Sequence, residues 1–328
     1  MAIRKLLAYA AIYFFWGASF LAIRQVVAVT PPFFAACFRF LCAGAILYGY
    51  SRWRGMPQPT KRQWMSTAIL GLVMFAGDYG CLFWAEKEVP SGLAAVIAAT
   101  IPVWVLLAEW WFSGGQRPNA KALAGIVLGI SGVIVLMIPT GFHHSSFSTS
   151  ALVLLLGCFF WAGGTIASRH LDLPRQLSMS SGLQMLWGGT FLFLISAATG
   201  ELGTLPRLSR QWNWQLAFSM GYLILFASII AFSAYVWLIK QDPVTRVASY
   251  AYVNPLVALL LARLAGASEL TAANVGLVAA VILLTVHGWL AGRAAQLHGW
   301  SLLLATSIAA ALGIVMILLK DLVLIHLH

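Results

Sequence analysis

Long apolar segments without formal charge constrain this chain more than any other feature. Residues 6–23 and 294–319 contain no Asp, Glu, Lys or Arg. A membrane-spanning α-helix needs about 20 consecutive, mostly apolar residues. In the whole chain 61% of residues are apolar and 9% are charged, whereas roughly 25% of residues are charged in a soluble domain. The sequence therefore predicts an all-α polytopic membrane protein.

Apolar segments and the loops between them predict eleven transmembrane helices. They are expected at 5–25, 32–51, 64–85, 91–113, 122–139, 150–169, 179–199, 214–239, 245–265, 272–291 and 299–320. Basic residues favour cytoplasmic loops. With a cytoplasmic N-terminus, thirteen Lys and Arg residues lie inside, six lie outside, and Arg39 alone lies within the membrane. The basic residues thus indicate orientation, and nucleic acid is not expected as a partner.

An internal repeat divides the chain into two similar parts. The sequence FFWGASFLAIR at 14–24 returns as FFWAGGTIASR at 159–169, and Arg39 meets Gln184 at the same offset of 145 residues. Because its twin lies in mid-chain, the first segment is expected to be a permanent helix rather than a cleaved signal peptide. Further along, 83–107 aligns with 236–260 at an offset of 153 residues.

The repeat predicts three parts. Residues 1–140 form a first unit with helices 1–5, residues 141–292 a second with helices 6–10, and residues 293–328 an extra C-terminal helix. Because each unit has an odd number of helices, the second unit begins on the opposite side of the membrane from the first. We therefore expect two inverted five-helix repeats, an architecture typical of secondary transporters.

Four motifs resemble the EamA family of the drug/metabolite transporter superfamily, in particular its YedA-like inner-membrane exporters. They are FFWGASFLAIR, FRFLCAGAIL, VPSGLAAVIAATIPVWV and SYAYVNPLVALLLA. The resemblance covers about residues 5–291. It implies a ten-helix exporter of small amphipathic metabolites or drugs, amino-acid-like or aromatic compounds among them, that works by alternating access in the cell inner membrane. Arg263 and Ala265 within 262–270 depart from the family's smoother pattern, and the helix after residue 299 has no counterpart in it.

Charged residues within predicted helices are the first candidates for a substrate site. Arg39 lies near mid-membrane, where a charge costs at least about 2.5 kcal/mol, so it needs an anionic partner or water. Two interpretations remain open for it: contact with a substrate carboxylate or phosphate, or a structural ion pair. Asp78 could carry a coupling proton or be the partner of Arg39.

Aromatic and polar residues complete the predicted substrate site. The full set is Trp16, Ser19, Arg39, Asp78, Tyr79, Thr100, Trp104, Trp161, Gln184, Tyr235, Tyr250 and Asn254. Aromatic faces can hold aromatic or cationic groups. The alternative for several of these rings is a place in the aromatic belt at the membrane surface.

Paired prolines and glycines predict a gate. Pro102 and Pro255 correspond in the repeat, and interrupted helices at corresponding places of two halves indicate a binding site or hinge. Gly17 and Gly163 belong to the repeated motif and are assigned to the same gate, with close helix packing as the alternative.

Other functions are weighed against transport. No zinc-protease, nucleophile-elbow or nucleotide-binding motif occurs, so an intramembrane enzyme is the weaker alternative, beside a channel or scaffold. No cofactor and no metal is expected. The expected partners are a small-molecule substrate and membrane lipid, with proton coupling left open. The eleventh helix is expected to be peripheral, packing on the second half or pairing two copies into a homodimer through its small residues.

Overall fold

A computed structural model describes residues 2–112, 149–205 and 213–264. These ranges form helices and short connections. The α-helices are α1 Ala2–Val27, α2 Pro32–Trp53, α3 Lys61–Leu70, α4 Gly80–Ala85, α5 Ser91–Ala98, α6 Ile101–Phe112, α7 Thr149–Ala167, α8 Leu177–Ala198, α9 Trp214–Tyr222, α10 Ser233–Gln241, α11 Val244–Val247 and α12 Tyr250–Leu264. A 3-10 turn, Glu201–Thr204, follows α8.

Seven helical spans in the described part are long and apolar enough to cross a membrane. They correspond to the predicted helices 1–4 and 6–8, and α11 with α12 corresponds to the ninth. The polytopic helical character is thus as predicted. The helices predicted at 122–139, 272–291 and 299–320 lie outside the described residues.

Local sequence signals explain where several helices begin. α2 starts at Pro32, and proline suits a first helical position because its missing N–H would have no partner there. Thr60 and Gln63 form a capping box at the start of α3, each side chain accepting a hydrogen bond from the other's backbone N–H. Asn213 caps α9 by accepting from the Leu216 N–H at 2.8 Å.

Two spans contain π-helical segments, which the sequence did not predict. α3 continues into α4 through Gly71–Tyr79, and α9 continues into α10 through Leu223–Phe232. At the repeat offset of 153 residues, 71–79 maps onto 224–232, so the two segments occupy equivalent positions. π-helical turns are rare and frequently occur at functional sites.

Side-chain contacts show which helix ends share a face. We call the face at which α1 begins the N-terminal face. There the Lys5 ammonium binds Asp242, just after α10, at 2.7 Å. The Ser51 hydroxyl near the end of α2 donates to Ser178 near the start of α8 at 2.8 Å. Thus α10 ends, and α8 begins, on the N-terminal face.

The other ends meet at the opposite face. The Arg24 guanidinium, near the end of α1, donates to the backbone carbonyl of Glu86, just after α4. The Ser150 hydroxyl at the start of α7 donates to the nearby Glu88 carboxylate. Each of these spans in the second half therefore runs opposite to its counterpart in the repeat. α7 runs opposite to α1, α8 to α2, and the α9–α10 span to the α3–α4 span.

Glycines let helices of the two parts touch through their backbones. A side-chain carbon built on Gly44 of α2 would lie 2.8 Å from the Leu186 nitrogen of α8, and one on Gly182 would lie 2.8 Å from the Tyr48 nitrogen. Both distances are too short for any side chain, so α2 and α8 form a seam that only glycine permits.

The predicted gate glycines differ in their surroundings. A side-chain carbon on Gly17 would lie 2.6 Å from Cβ of Val257, so α1 and α12 depend on this glycine for close contact. Gly163 has nothing within 4 Å of that position. The close contact of α7 is made by its neighbour Gly164, whose added carbon would lie 2.2 Å from Met74.

The two repeat-related prolines do not have the same effect. Pro102 is the second residue of α6, directly after the break at 99–100. Pro255 lies inside α12, and the break in that span comes earlier, at 248–249. The expected interruption at corresponding places is therefore wrong for Pro255. This proline removes only the hydrogen bond to the Ala251 carbonyl, and the helix continues past it.

Candidate functional site

Five aromatic rings from both parts of the chain form a central aromatic cluster: Trp16, Tyr79, Trp161, Tyr235 and Tyr250. The Trp16 ring centroid lies 4.7 Å from that of Tyr250, 5.0 Å from that of Tyr235 and 5.5 Å from that of Trp161. Tyr79 joins through Trp161 at 5.8 Å. All five rings are buried, and all five belong to the predicted substrate set. The structure brings them together.

Hydrogen bonds hold some of these rings in place. Trp16 Nε1 donates to the Ala227 carbonyl at 3.0 Å, within the second π-helical segment. The Tyr235 hydroxyl shares a 2.6 Å hydrogen bond with Thr165. Trp161 Nε1 is buried and has no hydrogen-bond partner among the described residues. A buried donor without a partner is rare, since its desolvation is not compensated.

A cavity of about 40 Å³ lies against the aromatic cluster. Its polar lining comes from Ser19, Asp78 and Asn254, all three in the predicted substrate set. The Asn254 Oδ1 atom is buried and accepts no hydrogen bond from the described residues. A cavity of this size admits at least one water-sized group, such as an ammonium.

Arg39 is completely buried on α2. Its Nε donates to the Ser228 hydroxyl of the second π-helical segment at 2.8 Å, so the guanidinium joins the two halves. Its two terminal nitrogens have no hydrogen-bond partner among the described residues. The rings of Phe40 and Tyr79 lie 4.7 and 4.8 Å from its Cζ atom. Such contacts partly offset the burial of a cation.

Asp78 does not pair with Arg39. Among the described residues, no nitrogen of Arg39 lies within 4.0 Å of the Asp78 carboxylate, and that carboxylate has no ion pair. Asp78 is instead packed against α7, where a side-chain carbon on Gly157 would lie 3.3 Å from its Oδ1. The sequence left open a direct ion pair between Asp78 and Arg39; the described residues contain no such pair, although each charge acts electrostatically on the other.

A second, larger cavity lies toward the N-terminal face. Its volume is about 420 Å³, and its lining runs from exposed Lys240 down to buried Gln184 and Tyr235. Since Tyr235 also belongs to the central aromatic cluster, this vestibule reaches the cluster from one side. Gln184, the repeat counterpart of Arg39, lines the vestibule and donates to Ser180 at 3.1 Å.

Three predicted site residues, Arg39, Thr100 and Trp104, lie outside both cavities. Trp104 donates to the Thr100 hydroxyl at 3.3 Å and packs edge-on against Phe159 at 5.9 Å. Neither residue lines the small cavity or the vestibule. The structure therefore separates Thr100 and Trp104 from the central aromatic cluster.

Sequence reasoning missed Glu86 and Ser228. Glu86 follows the last residue of the α3–α4 span, is fully buried, and has no partner for either carboxylate oxygen among the described residues. Burial raises the pKa of the Glu86 carboxyl well above its usual value, and nearby Arg24 and Arg39 oppose that rise. Its place among apparently ordinary loop charges gave no signal of burial.

Comparison with known proteins identifies the family. The sequence profile of the EamA-like transporter family matches residues 4–138 and again residues 148–286. The chain belongs to this family. The resemblance drawn from its motifs is confirmed, and the EamA-like protein carries the family unit twice.

Its relatives are membrane transporters. The EamA-like chain is 35% identical over 286 residues to YedA, an uncharacterized inner membrane transporter of Escherichia coli K12, covering 85% of this chain and 90% of YedA. It is 28% identical over 211 residues to a probable terminal-alkyne amino-acid exporter of Streptantibioticus cattleyicolor, covering 63% and 67% of the two chains. These relatives support a multi-pass membrane transporter and argue against an enzyme.

A solved crystal structure has a similar fold. It superposes with a TM-score of 0.63 at 20% sequence identity, covering 88% of this chain and 98% of the other. At this identity the likeness concerns the fold alone. The function must be argued from the site, where Arg39 and Asp78, which have no ion pair in the described part of the chain, lie beside aromatic rings of both halves.

Proposed function

We propose that the protein is a secondary transporter that exports small amphipathic metabolites or drugs, including amino-acid-like or aromatic compounds, across the inner membrane. The observation that carries this proposal is Arg39. Arg39 is a fully buried cation whose two terminal nitrogens have no partner among the described residues, and burying such a charge costs about 2.5 kcal/mol or more on insertion scales. That cost is understandable if the guanidinium serves an anionic group that comes and goes.

Inverted halves supply the symmetry that alternating access requires. The family profile matches twice, and three described spans of the second half run opposite to their counterparts. These observations support two inverted repeats of five helices, with domain limits near residues 140 and 292. In such transporters the site lies between the repeats, and the two halves rock about it.

The N-terminal face has a vestibule and the opposite face has contacts between helix ends, a difference that fits one state of an alternating-access cycle. The vestibule leads from the N-terminal face to the central aromatic cluster. At the opposite face, the Arg24–Glu86 and Ser150–Glu88 contacts join helix ends. With the N-terminus in the cytoplasm, as the distribution of basic residues favours, the vestibule would admit substrate from the cytoplasm.

Counterflow in proteoliposomes tests the transport function. Purified protein is first screened by thermal shift with amino acids, cationic dyes and organic anions, and the stabilising solutes are preloaded into vesicles. A carrier exchanges external labelled solute for internal unlabelled solute, giving a transient accumulation that a channel or scaffold cannot produce. Absence of counterflow with every solute of the panel would contradict the proposal.

A matched pair of variants on α2 sharpens that experiment. Arg39→Gln copies the Gln184 of the second half and should abolish counterflow in a folded protein. Arg52→Gln changes an exposed arginine near the end of the same helix and should leave counterflow intact. Equal losses in both variants would show that the effect is not specific to the site.

Coupling and assembly belong to the same proposal. Exchange measured across an imposed pH gradient tests proton coupling, because a proton-coupled carrier accumulates substrate only while the gradient lasts. Truncation after Arg293 tests whether the C-terminal helix predicted at 299–320 is peripheral. Transport should persist, and any homodimer formed through that helix should dissociate in size-exclusion chromatography.

A further inference from the structure

We propose that Glu86 is a proton-binding latch at the opposite face: its carboxyl group holds a proton while that face is closed and releases the proton when the face opens. The inference rests on the proposed transport function, because such a latch has a role only in a protein whose two faces open in turn. It adds the proton to that function as a ligand that regulates opening. It follows from the place of Glu86 in the fold and from the groups around its carboxyl group.

The Glu86 side chain is buried at a helix end, where a glutamate is ordinarily solvated. Its exposed fraction is 0% although it directly follows α4, and the next two residues, Lys87 and Glu88, are exposed. Neither carboxylate oxygen of Glu86 accepts a hydrogen bond from the described residues. Burial of an ionised carboxylate without hydrogen bonds is so unfavourable that buried carboxyl groups commonly take up a proton instead.

Two cations lie close enough to act on the Glu86 carboxyl group. They are Arg24 of α1 and Arg39 of α2. Arg24 donates its hydrogen bond to the backbone carbonyl of Glu86, and neither arginine forms an ion pair with the carboxylate within the described ranges. The other titratable residues on α4, the π-helical segment before it, α7 and the first two turns of α2 are Asp78, Tyr79, Cys81, Cys158 and Cys37.

The effect of burial on Glu86 is larger than that of the two cations. Burial raises the pKa of the Glu86 carboxyl well above its usual value, and Arg24 and Arg39 only reduce this rise. A solvated glutamate is ionised above about pH 4.3. While the opposite face is closed, Glu86 therefore keeps its proton at pH values at which an exposed glutamate has lost it.

The contacts around Glu86 are those that close the opposite face. Arg24 joins the end of α1 to the end of α4 through the Glu86 carbonyl. Two residues further on, Glu88 accepts from Ser150 at the start of α7, which belongs to the second half. Separation of the halves at this face would let water reach the Glu86 carboxyl group, and its pKa would return toward the usual value. Opening thus releases a proton into the solution at that face.

Proton binding and closure are therefore linked, and the sign of the linkage is defined. The closed face binds the proton of Glu86 more tightly than the open face does, so low pH favours closure. The ratio of closed to open protein falls as pH rises from the usual glutamate pKa to the raised one, by at most about tenfold per pH unit for one proton. Because the proton leaves at the face where it was bound, it sets this ratio without crossing the membrane.

A cysteine placed at Val27 tests the latch without any substrate. Val27 is buried at the end of α1, one turn after Arg24, so a water-soluble thiol reagent reaches Val27→Cys only when the opposite face opens. The labelling rate of that peptide is measured by mass spectrometry in purified protein between pH 5.5 and pH 7.5. It is compared at each pH with the rate in Val27→Cys/Glu86→Gln, because both proteins carry the same thiol.

The two labelling rates should diverge as pH rises. Glutamine resembles the protonated carboxyl group, so Glu86→Gln should stay closed throughout this range. We expect the ratio of the two rates to be near one at pH 5.5 and to increase at least threefold by pH 7.5. A ratio that does not change with pH would overturn the latch. If Glu86→Gln fails to fold, Glu86→Met takes its place, because methionine fills a buried site without a titratable group.

Glu88→Gln is the matched control. It neutralises an exposed glutamate two residues away and keeps an oxygen that can accept from Ser150. Its labelling should follow that of Val27→Cys alone at every pH. Loss of the pH dependence in Glu88→Gln as well would overturn the assignment to the buried Glu86.

The latch and the proposed function fail in different experiments. Labelling needs no transported solute, so a rate ratio independent of pH would overturn the latch while counterflow stands. Absence of counterflow with every solute would contradict the transport function, whatever the labelling shows. When counterflow is present, acidification of the solution at the opposite face should slow it in the wild type and leave the rate in Glu86→Gln unchanged. Equal slowing in both proteins would again overturn the latch.

Discussion

Two aspartates of this protein have opposite surroundings. Asp242, at the N-terminal face, accepts from the Lys5 ammonium at 2.7 Å and the Tyr9 hydroxyl at 3.1 Å, and Arg246 lies 3.6 Å away. Asp78, at the centre, has no ion pair among the described residues. Both side chains are largely buried. The same functional group is thus surrounded by protein donors in one place and left to a cavity in the other.

The difference shows what each charge does for the molecule. Partners around Asp242 tie the start of α1 to the end of α10, so this carboxylate stabilises the contact between the two halves. Central charges that have no ion pair within the described ranges lower stability, and proteins commonly retain such groups where function requires them. Substitutions should therefore affect stability and transport in opposite ways at the two places.

The largest effect is expected on transport at the centre. Arg39→Gln removes a charged donor whose loss from a ligand contact costs roughly 2 kcal/mol or more, so transport should fall about 30-fold or further. Its melting temperature in detergent should fall only slightly, because the two terminal nitrogens of the guanidinium have no partner among the described residues and only the Nε hydrogen bond to Ser228 is lost. A large loss of stability would show that Arg39 is mainly structural.

The next largest effect is expected on stability at the N-terminal face. Asp242→Asn should lower the free energy of unfolding by about 2 kcal/mol, since it weakens charged hydrogen bonds from Lys5 and Tyr9. Substrate affinity should stay within twofold of wild type. Lys5→Met is the milder companion, because Tyr9 and Arg246 still face the carboxylate. A melting temperature unchanged by Asp242→Asn would break the comparison.

Glu86 extends the comparison to a third carboxylate. Its raised pKa means that the folded protein binds this proton more tightly than the unfolded chain, so stability falls as pH rises from the usual glutamate pKa toward the raised value. Glu86→Gln should remove that part of the pH dependence and stabilise the protein by about 1 kcal/mol at neutral pH. Melting curves between pH 4 and pH 8 for both proteins measure it, and parallel curves would contradict it.

The smallest effect is expected at the opposite face. Ser150 occupies the repeat position of Lys5 at the offset of 145 residues, and it donates to Glu88. Because Glu88 is exposed and remains solvated, Ser150→Ala should lower stability by only about 0.5 kcal/mol. A loss of stability as large as that of Asp242→Asn would show that the Ser150–Glu88 and Lys5–Asp242 contacts contribute equally.

Much of this arrangement could be predicted from the sequence because its signals are local or repeated. Span positions follow from apolar length. The five rings of the central aromatic cluster all belong to the predicted substrate set, although only Trp16 and Trp161 lie in the repeated motif. Two facts had no local signal. Whether Arg39 pairs with Asp78 depends on how α2 packs against the α3–α4 span, and the burial of Glu86 depends on how the ends of α1 and the α3–α4 span meet.

Proline was a less reliable guide than the repeat. Pro102 and Pro255 are equivalent in sequence, yet only the first stands at a break. A proline removes one hydrogen bond, and whether the helix ends there depends on what surrounds the freed carbonyl. The π-helical segments are a different case, because no residue type marks them; the fold alone shows that they too are repeated.

Those segments set the helical phase of the spans that contain them. A π-helical turn holds more residues than an α-helical turn, so residues before and after it point in directions that an unbroken α-helix would not give. Asp78 and Tyr79 end the first segment, and Ser228 lies within the second. Deleting one residue from either segment would rotate these side chains about the span axis. The directions of the side chains in the site thus depend on the number of residues in these two π-helical segments as well as on which residues they are.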